Sequence, residues 1–210
     1  MALLAVSFLT LQVGGAKAAD KPPLKLVVLG DSLTAGYELK SADAFPAQLE
    51  RALKARGLAV NVVNAGVSGD TASDGLARLD WSVEPDADCV VVELGANDML
   101  RAIDPKVTQA ALEQIMARLK ARGVPVLVAG MLAPPNLGSD YKGSFDGIFP
   151  GLARQSDALL YPFFLDGVAG QPRLQLRDGL HPNAEGVAVM VERILPSVEA
   201  LVARAAAVRR

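Results

Sequence analysis

Five short apolar runs punctuate the chain. "LKLVVLG" (24–30), "AVNVVNAG" (59–66), "DCVVVELG" (88–95), "VPVLVAGM" (124–131) and "ALLYPFF" (158–164) are rich in Val and Leu and lack polar alternation. Runs of that kind are strands covered on both faces, as in a parallel sheet. Between them the pattern switches to a helical period, in "AFPAQLERALKARG", "TASDGLARLDW", "DPKVTQAALEQIMARLKARG" and "SFDGIFPGLARQ". Gly57 after "RALKAR" and Gly123 after "ARLKAR" are helix stops, because a basic last turn followed by Gly suits a helix C-terminus. Tyr141, Phe145 and Phe149 recur every four residues, a stripe predicted to be core. Past Pro182, which suits a first helical position, Val187, Met190, Val191, Ile194, Val198, Leu201 and Val202 share one helical face. Pro196 is placed to kink or split that helix.

Strands alternating with helices predict an α/β protein, a three-layer α/β/α sandwich on a five-stranded parallel sheet. No repeat, linker or internal boundary interrupts the pattern, so residues 20–210 are expected to form one domain. Ligands of such open sheets gather beyond the carboxyl ends of the strands. The residues to read are therefore Gly30-Asp31-Ser32, Gly66 to Asp70, Gly95 to Asp98, "LAPPNLGSDY" (132–141) and Asp178 to His181.

Composition narrows the function. A chain of 210 residues that is 51% hydrophobic and 21% charged is globular, and its net charge of −2 with no Lys/Arg cluster argues against nucleic acid as a partner. The one cysteine, Cys89, lies inside an apolar run, which fits a small core residue better than a nucleophile. Residues 1–19 have the plan of a secretory signal: an apolar stretch, small residues, then Ala16-Lys17-Ala18 as an A-x-A cleavage pattern. No Lys or Arg precedes the apolar stretch. The expected location is periplasmic or secreted, with no stable membrane insertion.

Five residues carry candidate chemistry. Ser32 sits two residues past the first strand, where helix-start N–H groups could stabilise an oxyanion; "GDS" alone fits a helix N-cap better. It is not the G-x-S-x-G elbow, since Thr34 stands where the second Gly would be. Asp178 and His181, the only histidine, are three residues apart, so a turn brings carboxylate and imidazole together; an isolated surface pair would look the same. Gly69 could bring a backbone N–H close to a ligand and Asn97 could aim its amide at the same point, although both residue types are common in turns. The signal is that all of them fall at one sheet edge.

"VVLGDSLTAGY", "NAGVSGDTASDGLARL", "VVELGANDMLRAIDP" and "DGLHPNAEG" resemble, in order and spacing, the four sequence blocks of the SGNH (GDSL) hydrolase family. The resemblance implies a flavodoxin-like sheet and a serine hydrolase of the arylesterase, acyl-CoA thioesterase or lysophospholipase type. It implies Ser32 as nucleophile, His181 as base and Asp178 as its orienting carboxylate. It further implies an oxyanion hole made by the Ser32 N–H, the Gly69 N–H and the Asn97 side chain. "MLRAIDP" and "MLAPPNLG" would shape the acyl pocket. The expected partner is a small-molecule acyl ester or thioester, handled by a monomer with no cofactor and no metal.

Three other readings compete. A carbohydrate O-deacetylase would use the same fold, but the chain offers few aromatics for sugar stacking, Trp81 being the only Trp. A non-catalytic lipid-binding module would not require Ser32, Asp178 and His181 together. A nucleotide-binding domain would need a glycine-rich phosphate loop after the first strand, and that loop lacks it.

Overall fold

The structure, a computed structural model, describes residues 22–209, so the expected signal segment lies outside the described residues. In chain order the first half runs β1 (Leu24–Gly30), α1 (Ser32–Ala35), α2 (Phe45–Ala55), β2 (Val60–Gly66), α3 (Ala72–Ala77), α4 (Leu79–Ser82) and β3 (Cys89–Glu93). The second half runs α5 (Ala96–Leu100), α6 (Pro105–Ala121), β4 (Val126–Ala129), α7 (Ser139–Asp146), α8 (Ile148–Ser156), β5 (Leu159–Tyr161) and α9 (Ala184–Val208). All five expected strands form, each within its apolar run.

The strands pair in parallel in the order β2-β1-β3-β4-β5. Parallel neighbours need right-handed crossovers, so reversing the direction of travel after β2 moves the connecting helices to the opposite face. Accordingly α2 packs with α9 on one side, while α6 packs with α3 and α8 on the other. The reversal places the ends of β1 and β3 side by side, the switch point where such sheets open a crevice. The described part of β1 from Leu26 onward, all of β3 and all of β4 are buried. The edge strands β2 and β5 are only partly covered, because each has a neighbour on one side alone.

Packing corrects some boundaries. Helices α2 and α6 stop as expected: Gly57 and Gly123 take φ of 77° and 69°, and Leu58 and Val124 N–H groups reach back to Leu53 and Leu119 carbonyls. "TASDGLARLDW" breaks into α3 and α4 at Arg78, whose guanidinium is drawn to the sheet edge instead of to solvent. "SFDGIFPGLARQ" straddles two helices, with Gly147 as the joint. Across that joint the aromatic stripe is core, with Phe145 and Phe149 buried and edge-on at 5.5 Å. Pro196 does not split α9; it is exposed, so the Glu192 carbonyl left without a helical partner can turn to water. Pro182 is not the first residue of α9, because Asn183 caps that helix through Gly186 N–H at 2.9 Å. Cys89 is fully buried, and burial pushes its thiol up to about 12, as a core residue requires.

Candidate active site

The turn after β1 presents Ser32 as the first residue of α1. Asp31, not Ser32, is the N-cap, its Oδ1 accepting the Leu33 N–H at 3.0 Å. That leaves the Ser32 hydroxyl free for another partner. It finds His181, whose Nε2 lies 2.8 Å from Ser32 Oγ.

His181 is held from two directions. Its loop is tied back by the bonds Leu176 N–H to His181 O (2.8 Å) and Asn183 N–H to Leu174 O (2.9 Å). Asp178 Oδ1 accepts the Leu180 and His181 N–H groups at 2.9 and 3.0 Å, folding the D-x-x-H segment into a tight turn. Its Oδ2 then meets His181 Nδ1 at 2.6 Å. With the Nδ1 proton donated to Asp178, Nε2 is an acceptor and faces the serine. Burial pushes the Asp178 carboxyl up, but the hydrogen bonds from Leu180 N–H, the His181 ring and His181 N–H outweigh it and bring the group down to about 2. Tyr37, two residues past the end of α1, sets its ring centroid 4.5 Å from that of the imidazole.

Gly69 and Asn97 line the same cavity as Ser32 and His181. Gly69 has φ 91°, so its backbone, rather than a shortage of room, demands glycine. Its carbonyl is held by Arg101 at 2.8 Å. Among the described residues, neither the Ser32 N–H nor the Gly69 N–H has an intramolecular acceptor. The Asn97 Nδ2 donates to Asp70 O at 3.0 Å and more loosely to Asp31 Oδ2 at 3.2 Å. Arg78 braces the floor of this corner, donating to Gly30 O and Ala65 O at 2.9 Å and to Asp70 Oδ2 at 2.5 Å. Buried Asp98 joins α3 and α6 by accepting the Ala72 N–H and the Thr108 hydroxyl, both at 2.9 Å.

The cavity measures about 300 Å³, with walls of Leu33, Met99, Leu100, Met131, Leu165 and Leu180. "MLRAIDP" contributes Met99 and Leu100, as expected; of "MLAPPNLG" only Met131 reaches the cavity. Leu165, Leu180 and Tyr37 were not foreseen as pocket residues. A larger hollow of about 470 Å³ lies at the opposite end of the sheet, by the starts of β4 and β5, away from Ser32 and His181. Trp81 is 90% exposed on α4 and takes no part in the active cavity.

Comparison with known proteins gives a consistent result. A profile of the GDSL-like lipase/acylhydrolase family matches residues 28–189. An arylesterase of Vibrio mimicus is 41% identical over 169 residues, 80% of this chain and 84% of that protein. Thioesterase 1/protease 1/lysophospholipase L1 of Escherichia coli K12 is 37% identical over 196 residues, 93% of this chain and 91% of that one. The crystal structure of AlinE4, an SGNH-hydrolase family esterase, superposes with a TM-score of 0.74 at 42% identity, covering 86% of this chain and 97% of that one.

Proposed function

The chain belongs to the GDSL-like lipase/acylhydrolase family and is a hydrolase of carboxylic esters and thioesters, and from that premise we propose that it works through an acyl-serine intermediate on Ser32. The observation that carries the reading is the hydrogen-bonded chain Asp178–His181–Ser32 opening into an apolar cavity. His181 Nε2 takes the Ser32 proton as Oγ attacks the acyl carbonyl. The carbonyl π electrons move onto oxygen, and that oxyanion is received by the Ser32 N–H, the Gly69 N–H and the Asn97 amide. Each such donor is worth about 3 to 4 kcal/mol in the transition state. Asn97 serves by sharing the N–H that leans on Asp31, while its bond to Asp70 O keeps the amide aimed. His181 then hands its proton to the leaving alcohol or thiol as that bond breaks, and water repeats the steps on the acyl-serine. Asp178, ionised well below neutrality, holds the ring and stabilises its protonated form.

The apolar walls favour acyl chains over sugar acetates. Each buried methylene adds about 0.8 kcal/mol, or roughly fourfold in kcat/KM, while room remains. A panel of aryl esters, acyl-CoAs, lysophospholipids and acetylated sugars at matched concentrations tests this. Acyl chains longer than acetyl should give the higher kcat/KM; faster turnover of sugar acetates would favour the O-deacetylase reading.

We also propose that the hydrolase is one domain, residues 20–210, exported after cleavage beyond Ala16-Lys17-Ala18 and acting as a monomer. Among the described residues no helix is long and apolar enough to cross a membrane. Mass spectrometry of extracytoplasmic protein should find Ala19 or Asp20 at the N-terminus, and an intact Met1 on a cytoplasmic product would refute export.

A further inference from the structure

The turn that carries Ser32 rests on two buried carboxyl groups that take no part in the proton transfers above. Asp31 is fully buried and Glu93, the last residue of β3, is 1% exposed. Gly30 and Glu93 are register partners in the sheet. Glu93 Oε2 accepts the Thr34 hydroxyl at 2.9 Å and the Asp31 N–H at 3.4 Å, so it grips the turn on both sides of Ser32. Gly30 makes the grip possible: a Cβ there would stand 2.6 Å from Glu93 Oε2 and 2.3 Å from Thr34 Oγ1. The other Glu93 oxygen, Oε1, is buried without a hydrogen-bond partner.

Charge decides the state of this pair. Among the described residues no cation bonds to either carboxyl, and Arg78, which reaches the same corner, is committed to Gly30 O, Ala65 O, Ser82 and Asp70. Asp98 adds a further negative charge nearby, and the charge of a protonated His181 favours the Asp31 carboxylate. Two adjacent carboxylates in a dry site cannot both ionise. Burial, then the charge of Asp31, pushes Glu93 well above the carboxylate range. Burial pushes Asp31 only to about 6, because the Leu33 N–H, His181 and Asn97 favour its ionised form. Glu93 therefore keeps the proton. Oε2 receives two donors, and Oε1 receives none that would hold a charge there.

We propose that Glu93 is a positioning residue for the nucleophile: a neutral carboxylic acid that anchors Asp31 and Thr34 and so fixes Ser32 between them. The inference rests on Ser32 being the nucleophile. A glutamine at 93 can still accept from Thr34 and the Asp31 N–H, so Glu93→Gln should keep kcat and KM close to wild type at pH 8. Glu93→Met has similar length and no acceptor. It should lower kcat about 10- to 100-fold, the scale of a small misplacement of a reacting group, and leave KM little changed. In the infrared difference between wild type and Glu93→Gln at pH 8, wild type should show the C=O stretch of a protonated carboxyl group. Wild-type kcat in Glu93→Met, equal damage in both variants, or carboxylate bands in the difference spectrum would each overturn the proposal. Should Glu93→Met fail to fold, the infrared comparison still decides. Ser32→Ala run alongside separates the two failures: an active Ser32→Ala removes the premise, while an inactive one with an undamaged Glu93→Met removes only the role of Glu93.

Discussion

Replacing Ser32 by alanine should remove ester and thioester hydrolysis almost entirely, with kcat falling about 10⁵- to 10⁶-fold. The fold should survive. The N-cap of α1 belongs to Asp31, and the Ser32 hydroxyl has His181 as its partner, so the substitution costs neither a cap nor a core contact. Far-ultraviolet circular dichroism and the melting temperature should match wild type within a few degrees, while an aryl ester is no longer turned over. An enzyme with activity within tenfold of wild type, or a loss that tracks unfolding, would contradict the assignment.

Removing His181 should cost nearly as much, and the double variant with Ser32→Ala should be little worse than either alone, because the two act as one unit. The pH dependence adds detail. A protonated imidazole cannot accept the serine proton, so kcat/KM should fall on acidification. Asp178, held near 2, stays ionised through that window and does not shape the limb. Asp31 does. Its burial brings it to about 6, so on acidification it too takes up a proton and weakens its hold on the Leu33 N–H and Asn97. The acid limb should therefore be steeper than one proton, even though the chain has a single histidine. In His181→Ala the residual activity should lose the imidazole contribution. Asp178→Asn should do less harm than His181→Ala, since it disturbs tautomer and orientation only. An unchanged acid limb at substantial activity in His181→Ala would mean that another group is the base.

The residues that touch substrate in this account are legible in the chain because each follows a strand within a recognisable local pattern. Ser32 comes two positions after "LVVLG", Asn97 follows "VVVELG", and Asp178 and His181 share one turn. The supporting groups are not legible that way. Glu93 reads as part of an apolar run, and only the β1–β3 register sets it across from Gly30 and under Thr34. Arg78 reads as a polar position on a helix, yet its side chain crosses to the ends of β1 and β2. Tyr37 meets His181 across 144 positions of sequence, and no local periodicity reports such a meeting. The helix breaks at Arg78 and Gly147 were missed for the same reason, since both are settled by where neighbouring side chains must go.

The central claim is that Ser32 Oγ becomes covalently acylated. Wild-type protein treated with a serine-directed phosphonate and digested for mass spectrometry tests it most directly. A single adduct on the peptide containing Ser32, appearing as activity disappears and forming far more slowly in His181→Ala, is the predicted result. An adduct on another residue that tracks inactivation, or full hydrolysis by protein already labelled at Ser32, would contradict it.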